Sequence, residues 1–320
     1  MGRAAVPFYD ASTIRDALRP RAAVQALADA LHHGLDPAAA APRSIVPVEH
    51  GELLLMPGEC AGAVGVKIAT AAPGNAALGL PRIQGLYVLV DARTLTPRAL
   101  LDGIELTLLR TPAVSLLAVR DRLTATAEPL HLVVVGTGPQ AVRHVETTHD
   151  VLEAVRPIAS VTYLSRHPEC FVPPPARAAA LVLPLGGAAS DEAIARAGLV
   201  VCATSTRTPL FDGALVSDDA VLVAVGSHDP LARELDEQLM GRSHVVVEDV
   251  ETALREAGDC VQAMAAGTLR RDSLIPLTAA LADPEGLTRD RPLVFKSTGM
   301  GWQDAVVAAA VMAAIERVGE

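Results

Sequence analysis

Leu132-Val133-Val134-Val135-Gly136-Thr137-Gly138-Pro139-Gln140-Ala141 is the stretch whose reading decides the fold. Four apolar residues without alternation make a strand buried on both faces, the kind found inside a parallel sheet. The next six residues read G-x-G-x-x-A, and helical spacing follows them. In that strand–turn–helix context the first glycine permits the tight turn and the second lets backbone approach a pyrophosphate. A small third residue lets helix and strand pack closely. The helix that the turn opens presents free N–H groups and a partial positive charge to phosphate. Gly136, Thr137, Gly138, Gln140 and Ala141 are therefore the expected pyrophosphate-binding residues of a dinucleotide site.

Downstream, short apolar runs at 161–164, 199–202, 221–225 and 244–247 alternate with helical stretches, and 293–295 offers one more. That texture predicts a parallel sheet covered on both faces, an α/β Rossmann domain. At the end of its second strand an acidic residue would hold a ribose 2′-hydroxyl. This chain has Ser165-Arg166-His167 there, and Ser165 with Arg166 suits a 2′-phosphate. NADP(H) is the preferred cofactor, with NAD(H) as the second choice.

Upstream the texture differs. Residues 12–33 carry a helical stripe of Ile14, Leu18, Val24, Leu27 and Leu31. Residues 43–57 alternate and read as strands with Gly51 in the turn between them; 64–69 and 84–91 read as further strands. Pro73-Gly74-Asn75 and Gly79-Leu80-Pro81 are turn chemistry. Residues 101–123 predict a long helix that Pro112 should kink or interrupt, and 304–318 predict a last helix. The change near residue 121 marks a domain boundary.

Composition narrows the class. Half of the residues are hydrophobic but only 2% are aromatic, so the core must be built from Ala, Val and Leu in closely packed layers. A net charge of -10 argues against a nucleic-acid partner. The four cysteines show no CxxC or Cys/His spacing, which excludes an evident zinc site or disulfide framework and suits a reducing cytoplasm. No HExxH occurs, so no metal is expected; adjacent His32 and His33 read as solvated surface. The run 305–315 is about half a membrane span and reads as a packed helix, and no signal-peptide pattern opens the chain.

Several segments then agree together: Gly79-Leu80-Pro81-x-x-Gln84-Gly85, Leu101-Asp102-Gly103, Leu106-Thr107-x-x-Arg110-Thr111, the Gly136 turn, Ala203-Thr204-Ser205, Gly226-Ser227-x-Asp229 and Arg233-Glu234-Leu235-Asp236. In this order the chain resembles the ornithine cyclodeaminase/μ-crystallin family from about residue 42 to 304. The resemblance implies a Rossmann domain (121–299) inserted into a smaller α/β substrate-binding and dimerisation domain (1–120 with 300–320), and a homodimer. It implies hydride transfer between nicotinamide and the α-carbon of a small amino or imino acid. Arg43 and Arg110 match the family's carboxylate-binding arginines, Lys67 the lysine beside the reacting carbon, and Asp229 the carboxylate that trades a proton with the substrate nitrogen. Met56 falls in the substrate-binding run, while Thr204, Ser205 and Gly226 lie at strand C-termini, where an open sheet places its ligand. Read without the family, Arg110 is a helix arginine able to snorkel or pair with Asp102 or Glu105, and Asp229 is an Asp-Pro turn residue.

One position departs. Ornithine-specific members carry a glutamate two residues before the methionine of a Glu-Leu-Met-Pro run; here it is Leu54-Leu55-Met56-Pro57. Glu52 is displaced by about 6–7 Å along the same strand face. A distal ammonium against Leu54 would be desolvated without a partner. The leading expectation is therefore a ketimine reductase or amino-acid dehydrogenase for an uncharged side chain. A cyclodeaminase that recycles its nicotinamide, and a non-catalytic μ-crystallin-like binding protein, are the alternatives.

Overall fold

The computed structural model describes residues 5–174 and 180–318. It divides into two compact units, one formed by residues 1–114 with 300–320 and the other by 115–299. The division at Val114/Ser115 falls inside the long helix, N-terminal to the boundary expected from strand texture.

The first unit opens with β1 (Phe8–Tyr9), α1 (Ala11–Ala17) and α2 (Pro20–His32). The periodic stretch 12–33 is thus two helices rather than one. Pro20 takes the first turn of α2, where its missing N–H costs nothing, and Leu18 turns extended to end α1. Asp10 caps α1 by accepting from the Thr13 N–H at 2.8 Å. Five more strands follow: β2 (Ser44–Val48), β3 (Gly51–Cys60), β4 (Ala63–Ala71), β5 (Ile83–Asp91) and β6 (Pro97–Asp102). They form a six-stranded sheet in the order β1-β6-β5-β4-β3-β2, antiparallel except where β1 joins β6. Strand β6 was not expected: its last two residues, Leu101 and Asp102, read as the start of the helix behind it, and pairing with β5 claims them. Helix α3 (Gly103–Thr124) then runs on through Pro112 without a break.

The register aligns Met56, Lys67 and Tyr87 across β3, β4 and β5, so the three side chains share one sheet face. The C-terminal helix Gly301–Val318 packs on β3 and β4 and belongs to this unit. Its start comes so close that a Cβ on Gly58 would lie 2.0 Å from the Gly301 carbonyl oxygen. Only glycine admits that approach.

The second unit holds eight parallel strands: β7 (Leu130–Val135), β8 (Ile158–Ser165), β9 (Ala180–Pro184), β10 (Leu199–Cys202), β11 (Val221–Ala224), β12 (His244–Val247), β13 (Leu274–Pro276) and β14 (Leu293–Lys296). Their order is β13-β12-β14-β11-β10-β7-β8-β9. From β9 inward this is the doubly wound arrangement, with β14 entering between β11 and β12. The direction of winding reverses between β7 and β10, and the C-terminal ends of those strands are where such a sheet leaves a crevice. Val133, Val135, Val200, Cys202, Leu222, Ala224, Val245 and Val294 belong to one buried cluster of this core, and Tyr163 and Phe295 are aromatic side chains buried in the same sheet. The edge strands β9 (Ala-Leu-Val-Leu-Pro) and β13 (Leu-Ile-Pro) were not expected; each ends in a proline, a residue confined to strand ends and edges.

Candidate functional site

The glycine turn sits at the reversal point of the second unit. Gly136 has φ 120°, donates its N–H to the Leu164 carbonyl at 2.9 Å, and would bring a Cβ to 2.6 Å from the Ala203 carbonyl oxygen. It therefore has to be glycine. Gly138 caps helix α4 (Pro139–Leu152) without any side-chain hydrogen bond, and a Cβ there would meet no atom within 4 Å. Pro139 at the first helical position gives up an N–H the helix does not need. The helix start is thus open at Gly138, and Ala141 is fully buried behind it. These features fit a pyrophosphate. Ser165 ends β8, buried, its Oγ accepting from the His167 N–H at 3.1 Å; Arg166 beside it is exposed. Thr204 and Ser205 follow β10 and Gly226 follows β11, at the same end of the sheet.

The first unit gathers a different chemistry. Lys67 is 3% exposed, and its Nζ lies 3.1 and 3.0 Å from Oδ1 and Oδ2 of Asp304 and donates to Thr107 Oγ1 at 3.1 Å. Arg110, also buried, donates from Nη1 to Gln303 Oε1 at 2.9 Å and places Nε 3.4 Å from Asp304 Oδ1. Two buried cations thus converge on one buried carboxylate. Asp304 stands in the first turn of the C-terminal helix, where the helix dipole favours an acid. Burial, with Arg110 alongside, pushes the Lys67 ammonium down to about 7 although Asp304 pulls the other way; Arg43 adds to the depression.

The neighbours expected for Arg110 are otherwise engaged: Asp102 caps α3 by accepting from the Ile104 and Glu105 N–H groups at 2.9 and 2.8 Å, and Glu105 pairs with Arg15 at 2.9 Å. Met56 and Leu54 are buried on β3, Met56 in register with Lys67. Asp229 belongs to the other unit. It is half-exposed, pairs with Arg207 at 3.0 Å and accepts from the Leu231 N–H at 2.8 Å. Asp304 and Gln303 were not singled out from the sequence. An acid near a helix start carries no local mark of a distant partner. Among the described residues no cluster could hold a metal ion, and no helix is long and apolar enough to cross a membrane.

Residues 11–318 match the ornithine cyclodeaminase/mu-crystallin family, and the chain belongs to it. It is 34% identical over 260 residues to a Δ1-pyrroline-2-carboxylate/Δ1-piperideine-2-carboxylate reductase of Azospirillum brasilense, covering 80% of this chain and 79% of that one. It is 32% identical over 287 residues to a Δ1-pyrroline-2-carboxylate reductase of Bacillus thuringiensis subsp. konkukian, covering 84% and 85%. The fold is that of the Thermococcus litoralis Δ1-pyrroline-2-carboxylate reductase, solved with NADH and L-proline, with a TM-score of 0.81 at 23% identity over 98% of each chain.

Lys67 makes a signed prediction. Its ammonium has an ordinary pKa of 10.5 and one of about 7 in the fold. Between these values the unfolded chain holds a proton that the folded chain has released. Lys67's unfavourable contribution is therefore full below pH 7 and relieved as pH rises toward 10.5. In urea titrations the stability of wild type minus that of Lys67→Met should rise across this window, by at most about 1.4 kcal/mol per pH unit. A flat difference would mean that Asp304 keeps Lys67 protonated.

Proposed function

We propose that this chain is an NAD(P)H-dependent reductase of cyclic ketimines bearing an α-carboxylate, with pyrroline-2-carboxylate and piperideine-2-carboxylate as substrates. The observation that carries the reading is the convergence of Lys67 and Arg110, both buried, on the single carboxylate of Asp304. A desolvated cationic pair of this kind suits a second carboxylate, brought by the substrate. The buried Leu54 supports an uncharged ring rather than a diamino acid. The reductases among its relatives act on the same class of imine.

When bound, the reduced nicotinamide supplies a hydride for the imine carbon. Lys67, Arg43 and Arg110 hold the α-carboxylate; Arg110's fork is kept in place by Gln303, and Lys67 by Asp304 and Thr107. Met56 and Leu54 give the ring an apolar wall. Asp229 carries the proton that the substrate nitrogen gains, with Arg207 orienting its carboxylate. Gly136, Thr137, Gly138, Gln140 and Ala141 hold the pyrophosphate, and Thr204, Ser205 and Gly226 the nicotinamide half. Ser165 and Arg166 select the 2′-phosphate, so NADPH is the preferred reductant. The four cysteines are free thiols, which suits the cytoplasm.

The assembly we read is a homodimer. Val46, Leu53, Leu55, Val66, Ile68 and Leu86 share the sheet face opposite Lys67, and Val46, Ile68 and Leu86 are exposed. An apolar sheet face left open in one chain calls for a second copy.

Three measurements test this. Purified protein should oxidise NADPH with either cyclic ketimine; ammonia release from ornithine or lysine with no net change in nicotinamide absorbance would replace the reductase with a cyclodeaminase. No turnover with any ketimine, or with 2-oxo acid plus amine, ends the reading. Arg166→Ala should raise KM for NADPH about tenfold and leave NADH unchanged; equal effects on both would remove the NADPH preference. Light scattering should give twice the chain mass, and Ile68→Glu with Val46→Glu should halve it, whereas a monomeric wild type refutes the dimer.

A further inference from the structure

The ends of β10 and β11 are tied together by a group that the reaction itself does not use. Glu234 is fully buried, and its carboxylate serves both loops at once. Oε1 accepts from the Thr204 N–H and the Thr204 hydroxyl, each at 2.8 Å, and Oε2 accepts from the Gly226 N–H at 2.8 Å. The two loops are pressed close: a Cβ on Gly226 would lie 2.1 Å from the Thr204 carbonyl oxygen and 2.4 Å from Glu234 Oε1.

Glu234 is itself held from below. Asp259, also fully buried, accepts through Oδ1 from the Glu234 and Leu235 N–H groups at 2.8 Å. Its Oδ2 lies 3.0 Å from Lys296 Nζ, which also donates to the Ser227 carbonyl at 2.9 Å. Burial works against the Lys296 ammonium, but Asp259 and Glu234 outweigh it and keep it charged. Two carboxylates and one ammonium thus link the segments after β10 and β11 with the end of β14.

Packing alone does not ask for this. Apolar side chains of similar volume usually serve a core as well as a buried ionic cluster, because desolvation offsets most of the attraction. What the cluster supplies is direction. A carboxylate offers acceptor sites on both oxygens, enough for two N–H groups and a hydroxyl together, where an amide would turn a donor toward one of them. In a doubly wound sheet the strands on this side of the reversal point form the second mononucleotide half of the crevice.

We infer that Glu234 is a positioning residue that sets the Thr204 and Gly226 loops for the nicotinamide half of the dinucleotide, with Asp259 and Lys296 as its fixed base. This rests on the dinucleotide reading above. The adenosine half lies across the reversal point, around Gly136 and Arg166, and Glu234 does not hold it.

The test separates the halves. Wild type, Glu234→Gln and Glu234→Asp are titrated with NADPH and NADH by fluorescence and with ADP by calorimetry, with folding checked by circular dichroism. Glu234→Gln turns an amide N–H₂ toward a backbone N–H. It should weaken dinucleotide binding about tenfold or more and leave ADP within about twofold. Glu234→Asp keeps the charge and should fall between. With ketimine, kcat should drop while KM for the imine holds. Equal weakening of ADP and dinucleotide, no weakening of either, or failure of both variants to fold would overturn the inference. Binding of neither nicotinamide by wild type would remove the dinucleotide reading, and this inference with it.

Discussion

An ammonium buried among apolar side chains must have a carboxylate within reach, and this chain meets that demand once in each unit. Lys67 meets Asp304, and Lys296 meets Asp259. The first pair joins a strand in the first quarter of the chain to the helix that ends it, 237 positions away. Removing Asp304 would leave Lys67 and Arg110 buried without their shared counter-charge. The C-terminal helix is thus bound to the first unit by electrostatics as well as by packing. The second pair sits under the loops of the Rossmann sheet, where it stabilises backbone geometry rather than a ligand.

The near absence of aromatic residues has a structural counterpart. Thin layers of Val, Leu and Ala bring backbones close together, and glycine is needed where they touch. Gly58 against Gly301 lets the C-terminal helix start directly on β3, which puts Gln303 and Asp304 beside Arg110 and Lys67. Gly136 against Ala203 lets the dinucleotide turn close over the neighbouring strand. A side chain at either place would shift the groups that follow by more than a hydrogen bond tolerates.

The two lysines also show how similar pairs serve different ends. Lys296 is outnumbered by carboxylates and stays charged, a fixed part of the frame. Burial first, and then the Arg110 that shares its one carboxylate, bring the Lys67 ammonium down to about 7. A carboxylate arriving beside it would restore the balance. An enclosure with surplus positive charge suits binding an anion; one in which carboxylates outnumber the cation suits holding backbone N–H groups.

Much of the fold was legible in the residues alone. The apolar runs of β7, β8, β10, β11, β12 and β14 announce a parallel sheet because strands buried on both faces cannot alternate, and the glycine turn is read from chain-local sterics. Lys67 is legible in the residues too: a lysine between Val66 and Ile68 in a strand is costly unless paired. What paired it was not legible. Asp304 and Gln303 look like ordinary residues of a helix start, and Glu234 like one member of a charged run. Their roles arise only when β4, α3 and the last helix, or the ends of β10 and β11, are brought within 3 Å or so of one another, a distance set by hydrogen bonding. Strand β6 and the break at Pro20 also waited on the tertiary structure, since pairing with β5 and the geometry around proline outweigh local periodicity. The sequence by itself determined the type of sheet, the turn at Gly136 and the presence of a buried lysine. The tertiary structure alone decided which carboxylate answers each buried cation, because burial is a property of one residue and pairing is a property of two.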